Sequence, residues 1–202
     1  MTGWTRLEAV AAPLPEADID TDVIFPARFL LLMDKAGLGR HAFHERRYHA
    51  DGTPRPEFVL NRPPWTGARI LVAGDNFGCG SSREHAVWAL ADLGIACIVA
   101  PGFGEIFYAN CLRNLVLPLR LAGAGHARVL AAAMAGRVVS VDLAATTLAC
   151  DAAGPIGFAL DAHRRRALMQ GLDEIGLSLA DDAADIARFE AARPPWAGAI
   201  GT

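Results

Sequence analysis

Ile70-Leu71-Val72-Ala73-Gly74-Asp75-Asn76-Phe77-Gly78-Cys79-Gly80-Ser81-Ser82-Arg83-Glu84-His85 runs from a short apolar segment through a glycine-rich stretch into a helix-like one. Strand, loop and helix follow in that order, and the pattern continues downstream. Residues 69–73, 95–100 and 115–121 read as strands, and 82–93 and 105–114 as helices. Gly94 stops the first helix, Ile95-Ala96-Cys97-Ile98-Val99-Ala100 is apolar enough to be buried on both faces, and Pro101-Gly102 turns the chain. Such alternation predicts an α/β fold whose core is a parallel sheet covered by helices.

The flanks have a different character. Residues 7–30 hold a short extended region and the acidic run Asp18-Ile19-Asp20-Thr21-Asp22 before Pro26. Residues 37–64, rich in Gly, Pro, His and Arg, read as a long surface excursion with at most short elements, and the wider loop region covers about 28–64. Residues 138–142 and 146–150 alternate like a hairpin pair, and 183–192 form a helix. Residues 1–192 are expected to make one domain, followed by a mobile tail at 193–202 with Pro194-Pro195.

The glycine run gathers the parts of an anion site. Gly78 and Gly80 let the backbone turn and approach a ligand, a helix N-terminus favours negative charge, and Arg83 offers a planar fork for a carboxylate or phosphate. Ser81-x-x-Glu84 also has the spacing of a capping box, which would make Ser81 a purely structural residue. Against that stand two glycines no cap requires, and a cation placed against the helix dipole at a cost of about 0.3–1 kcal/mol. A cation so placed calls for an anionic partner. A serine among backbone N–H groups and a guanidinium could carry its proton loosely enough to act as a base. The surroundings contain no G-x-S-x-G elbow, no third glycine of a dinucleotide loop and no Walker lysine.

With 202 residues, 52% hydrophobic and 20% charged, the chain is long enough for a well-packed domain, and its net charge of −3 gives no attraction to nucleic acid or an anionic membrane. The first residues lack an apolar signal core, and no apolar stretch reaches the roughly 18 residues of a membrane span, so a cytoplasmic location is expected. Cys79, Cys97, Cys111 and Cys150 contain no C-x-x-C pair and read as free structural thiols, with no metal or cluster motif of their own. His41 and His44, beside Glu45, read as loop residues rather than metal ligands, His85 as packing support, and Arg164-Arg165-Arg166 as a solvated face.

Four segments together resemble the small-subunit family of 3-isopropylmalate dehydratases, within the aconitase superfamily. They are residues 78–86, Asp20-Thr21-Asp22-Val23-Ile24-Phe25-Pro26, residues 100–110, and Gly171-Leu172-Asp173-Glu174-Ile175-Gly176-Leu177. The resemblance spans nearly the whole chain. It implies a three-layer β/β/α swivelling domain and a separate large subunit carrying a [4Fe–4S] cluster, with no cofactor in this chain. The implied reaction is dehydration and rehydration of 2-isopropylmalate to 3-isopropylmalate in leucine biosynthesis, with a cluster iron as Lewis acid.

Roles carry over onto matching residues. Ser81 would be the base, Ser82 and Arg83 would bind substrate, and Asp22 matches an aspartate that helps position a catalytic histidine from the rest of the enzyme, unless it is a turn or cap residue. Gly78 and Gly80 would support the loop. Leu31, in the loop from Phe29, would face the substituent that distinguishes malate homologues, unless Leu30 to Leu32 simply pack in the core. Two alternatives stay open: a related hydro-lyase for methyl-substituted malate or citraconate, and a non-catalytic module holding a phosphate or carboxylate.

Overall fold

The computed structural model describes residues 3–81 and 83–193. In chain order the elements are β1 (Arg6–Leu14), α1 (Thr21–Ile24), α2 (His44–Arg47), β2 (Ile70–Ala73), α3 (Glu84–Asp92), β3 (Cys97–Ala100), α4 (Glu105–Arg113) and β4 (Leu117–Arg120). Then follow α5 (Gly123–Met134), β5 (Val138–Asp142), β6 (Thr147–Ala149), β7 (Ile156–Gly157), α6 (Ala162–Gln170) and α7 (Glu174–Ala192). The strands make one curled seven-stranded sheet in the order β4-β3-β2-β1-β5-β6-β7.

Strand β1 is the hinge of this sheet. Its second half pairs in parallel with β2, Ala11 opposite Ile70 and Leu14 opposite Ala73, while its first half pairs antiparallel with β5, Arg6 opposite Asp142. The parallel half is buried on both faces, as its continuous apolar strands require. Alternate side chains therefore feed two cores. Leu71, Ala73 and Ile98 join Val87 and Leu90 of α3 and Phe107 of α4 on one face. Ile70, Val72 and Val99 join Val129 and Ala133 of α5, together with Val139, Val141 and Leu148 from the antiparallel half, on the other. Because side chains of both sheet halves share the second core, the order outward from α3 and α4 is helices, parallel strands, then the curled antiparallel strands with α5. The fold class matches the α/β expectation.

The strand–helix alternation is as expected from 69 to 121, with tighter bounds. The hairpin pair is present as β5 and β6. Helices α5 and α6 are additions to the sequence expectation, and α7 begins nine residues before the expected 183. Residues 37–64 carry only short elements, the turns Leu38–His41 and Val59–Asn61 and the helix α2. They are not a surface excursion throughout, since Leu38, Ala42, Phe43, Val59 and Leu60 are buried in the core on the α3 side. The expected mobile tail lies, beyond Arg193, outside the described residues.

Strands β1 to β4 run the same way, so Leu14, Ala73, Ala100 and Arg120 end at one edge. Loops after the strand ends of an α/β sheet are where such folds place ligands. The acidic run, the glycine run and the segment containing Phe103 leave the sheet at this edge.

Candidate active site at the strand ends

Three loops knit together beyond the sheet. Asp20 forms a parallel bridge with Cys79, and Phe77 with Phe103. The Gly78 N–H donates to the Ile19 carbonyl at 2.7 Å, the Thr21 N–H to the Cys79 carbonyl at 3.0 Å, and the Gly104 N–H to the Phe77 carbonyl at 3.0 Å. These bonds continue the parallel pairing past the strands and leave few backbone groups of the loop unpaired.

The two glycines are conformationally required. Gly78 has φ +73° and Gly80 φ +88°, the left-handed region that costs other residues about 1–2 kcal/mol. At Gly78 a Cβ would also lie within 3.0 Å of three carbons of the Phe107 ring. Phe107 is 2% exposed and packs edge-on against the buried Phe77, with ring centres 5.5 Å apart. The glycine run is thus pressed onto α4, and Ser81 is left on the surface at its far end.

Two further residues define Ser81's position. Thr21, 2% exposed, donates from its hydroxyl to the Ser81 carbonyl oxygen at 2.9 Å. Sequence reasoning passed over Thr21; the signal available was a hydroxyl flanked by two aspartates in a short helix with a buried side. Asp20 accepts from the Val23 N–H at 2.7 Å and is the N-cap of α1. The cap role considered for Asp22 therefore belongs to Asp20. Asp22 instead forms an ion pair with Arg83, whose side chain is only 16% exposed while that of Asp22 is 51% exposed. The anionic partner expected for Arg83 is present, and it turns the guanidinium toward the acidic loop.

The capping box is not formed. Helix α3 begins at Glu84, with Arg83 as an extended N-cap that makes no side-chain cap bond, so Ser81 stands two residues outside the cap. Glu84 does not reach back; its carboxylate accepts from Asn114 Nδ2 at 2.8 Å. The helix thus starts at Glu84 rather than at the expected 82, which leaves Ser81 farther from its first turn. Helix-dipole effects fade within a turn, so the dipole supports Ser81 weakly at best. Ser82 lies outside the described residues.

The local charge is acidic. Burial, followed by the charges of Asp18 and Asp20, holds the half-buried Cys79 thiol above its ordinary range. Burial also pushes Cys97 and Cys111 well up, and raises Cys150, so the four thiols favour the protonated form. Among the described residues no group of three or more His, Cys, Asp or Glu could hold a metal ion.

Other expected residues fall into place around this edge. Leu31 is 91% exposed, which removes core packing as its explanation, whereas Leu30 packs against the core. The loop reaches the site through rings: Phe29 contacts Phe25 at 5.9 Å, and Phe25 stacks on His85 at 5.8 Å. His85 is packing support, as expected, and its ring also lies against Trp88, with centres 4.6 Å apart. His41 stacks on Phe29 at 4.1 Å. Arg166 is more than a solvated charge, since it grips Asp181 with two bonds of 2.7 and 2.5 Å and ties α6 to α7.

The fold and the strand-end loops define a domain of the aconitase C-terminal type, and the Aconitase C-terminal domain family matches residues 1–124. The small subunit of 3-isopropylmalate dehydratase from Sinorhizobium fredii is 48% identical over 202 residues, covering 98% of this chain and 100% of that one. The small subunit from Dinoroseobacter shibae is 47% identical over 201 residues, covering 97% and 100%. Among solved structures, 3-isopropylmalate dehydratase (leuD) of Methanocaldococcus jannaschii superposes with a TM-score of 0.65 at 22% identity, covering 91% of this chain and 99% of that one. That likeness concerns the fold. The chain belongs to the family of 3-isopropylmalate dehydratase small subunits. Among the described residues, no helix is long and apolar enough to cross a membrane.

Proposed function

We infer that this chain is the small subunit of a two-chain cytoplasmic hydro-lyase that converts 2-isopropylmalate to 3-isopropylmalate by dehydration and rehydration, a step of leucine biosynthesis. The observation that carries the reading is a half-built site. A serine is displayed on a glycine loop pressed onto α4, beside an arginine oriented by Asp22. Whole-length identity of 47–48% to small subunits supports it.

In this reading Ser81 removes the proton from the carbon next to the one bearing the hydroxyl, the hydroxyl takes up a proton from an acid on the large subunit and departs as water, and re-addition of water with H and OH exchanged between the two carbons gives the isomer and returns both protons. Arg83 holds a substrate carboxylate with its fork, and Ser82 hydrogen-bonds beside it. Asp22 sets the direction of Arg83 and stands ready to meet a histidine of the large subunit. Leu31 faces the isopropyl group. The [4Fe–4S] cluster belongs to the large subunit and supplies the Lewis acidity that the departing hydroxyl needs.

Asp18 and Asp20, whose charges reach the Cys79 thiol, flank the loop that carries Ser81, and the substrate adds two carboxylates, so the balancing positive charge has to come from Arg83 and from the partner. In this reading the isolated chain, without the Lewis acid of the large subunit, is inactive. Mixing it with the large subunit should produce interconversion of 2- and 3-isopropylmalate, while a complex that assembles but acts only on methyl-substituted malate or citraconate would assign it to the related hydro-lyase instead. One methylene in an apolar pocket is worth only about 1–3 kcal/mol, so the assay must compare kcat/KM across the diacids.

A further inference from the structure

Between Leu32 and Leu38 the chain leaves the body of the protein. The Leu32 N–H is bonded within its own turn to Phe29, and Ala36 is bonded to Asp34 inside the loop. The chain is anchored again by Leu38, buried in the core, and by the Gly39 N–H on Asp92 at 2.7 Å. Leu31 and Met33 are 91% and 74% exposed.

Lys35 crosses this gap. Its ammonium sits 4.7 Å from the centre of the Trp88 ring and donates to Asn114 Oδ1 at 3.3 Å. Asn114 in turn donates from Nδ2 to Glu84 Oε1 at 2.8 Å and to the Asn110 carbonyl at 2.9 Å, which fixes its amide with Oδ1 toward Lys35. Lys35, Trp88, Asp92, Arg113, Asn114 and Leu172 line one cleft of about 550 Å³ beneath the loop. Trp88 lies one turn beyond Glu84 on α3, and Glu84 follows Arg83 directly. The loop that carries Leu31 is thus tied to the same helix start that carries the guanidinium.

We propose that Lys35 is a positioning residue: its contacts with Trp88 and Asn114 latch the 31–36 loop onto α3 and the end of α4 and so set where Leu31 stands relative to Arg83. The consequence for substrate rests on the functional reading above, whereas the latch itself does not. A cation over a tryptophan plus one charged hydrogen bond, both at the surface, corresponds to about a tenfold bias toward the closed loop.

Two measurements test this on the full chain and on its complex with the large subunit. Limited chymotrypsin digestion reports cleavage after Leu31, Leu32 and Met33. Lys35→Ala should accelerate it about tenfold, and Lys35→Arg, which keeps both the cation over the ring and the donor, should restore the wild-type rate. In the complex, Lys35→Ala should raise KM for 3-isopropylmalate several-fold with kcat little changed, again with rescue by arginine. Unchanged cleavage overturns the latch. Faster cleavage with unchanged KM overturns the role in placing Leu31. A wild-type complex inactive on isopropylmalates would overturn the functional reading, and the digestion would still decide the latch.

Discussion

Replacing Gly78 by alanine isolates what holds the serine loop in place. The left-handed φ of +73° costs an alanine about 1–2 kcal/mol, and its methyl would enter the space of the Phe107 ring, which is 2% exposed and locked against Phe77. Overpacking of this kind adds about 1–3 kcal/mol, for a total of about 2–5 kcal/mol. Gly80 supplies the internal control. Its φ is +88°, but the nearest side-chain atom to a methyl at that position is Asp20 Cβ at 3.5 Å, so Gly80→Ala should cost the backbone share alone. With an m-value of about 2 kcal/mol/M in urea, the midpoints should fall by about 1–2.5 M for Gly78→Ala and about 0.5–1 M for Gly80→Ala. Adding Phe107→Leu should destabilise the Gly78→Ala chain less than it destabilises the wild type, because the smaller side chain relieves the clash. Equal midpoint shifts for the two glycine variants, or strict additivity with Phe107→Leu, would refute the account of the loop as pressed onto α4.

Two other perturbations read the site's electrostatics. Asp22→Asn breaks the ion pair with Arg83, and because Asp22 is half-exposed the stability change should stay within about 1 kcal/mol. In the reconstituted complex it should raise KM several-fold through misdirection of the guanidinium, and a lowered KM would mean that Asp22 merely competes with the substrate carboxylate. His41 and His44 are held below the ordinary histidine pKa, first by burial and then by Arg40 and Arg28 among other charges, so the unfolded chain binds more protons at mildly acid pH. Their contribution is complete above about pH 6.5 and is lost as pH falls toward the folded values. The urea midpoint should therefore drop between about pH 7.5 and about pH 5.5, and His41→Phe, which keeps a ring against Phe29, should flatten that drop.

What was legible in the sequence was the part governed by local pattern. The apolar strands β2 and β3 and the helices between them follow from residue type and spacing, and Gly78 and Gly80 announce a backbone that other residues resist. Helix α5 was not legible, because Gly123-Ala124-Gly125 and the alanine-rich stretch after Val129 offer little contrast between faces; packing against β1 and β5 decides its state. The capping-box spacing misled for a related reason. Ser81 and Glu84 have the right separation, but the parallel bridge of Asp20 with Cys79 keeps the chain extended, and Asn114, thirty residues from Glu84, takes the carboxylate. The burial of Phe43 and Leu60 was hidden by the Gly, Pro and Arg around them. At the site, Arg83 signalled its need for an anion, yet which of three aspartates would answer depended on α1 being capped by Asp20.

The central claim is that Ser81, displayed on this loop, is the base of a reaction completed by a second chain. Because Ser81 is exposed, and its bond from Thr21 uses the backbone carbonyl, Ser81→Ala should leave the urea midpoint and assembly with the large subunit unchanged. The decisive measurement is kcat for 3-isopropylmalate in that assembled complex. A fall of about 10²–10⁴-fold is predicted from loss of the positioned base; turnover near that of the wild type would contradict the assignment.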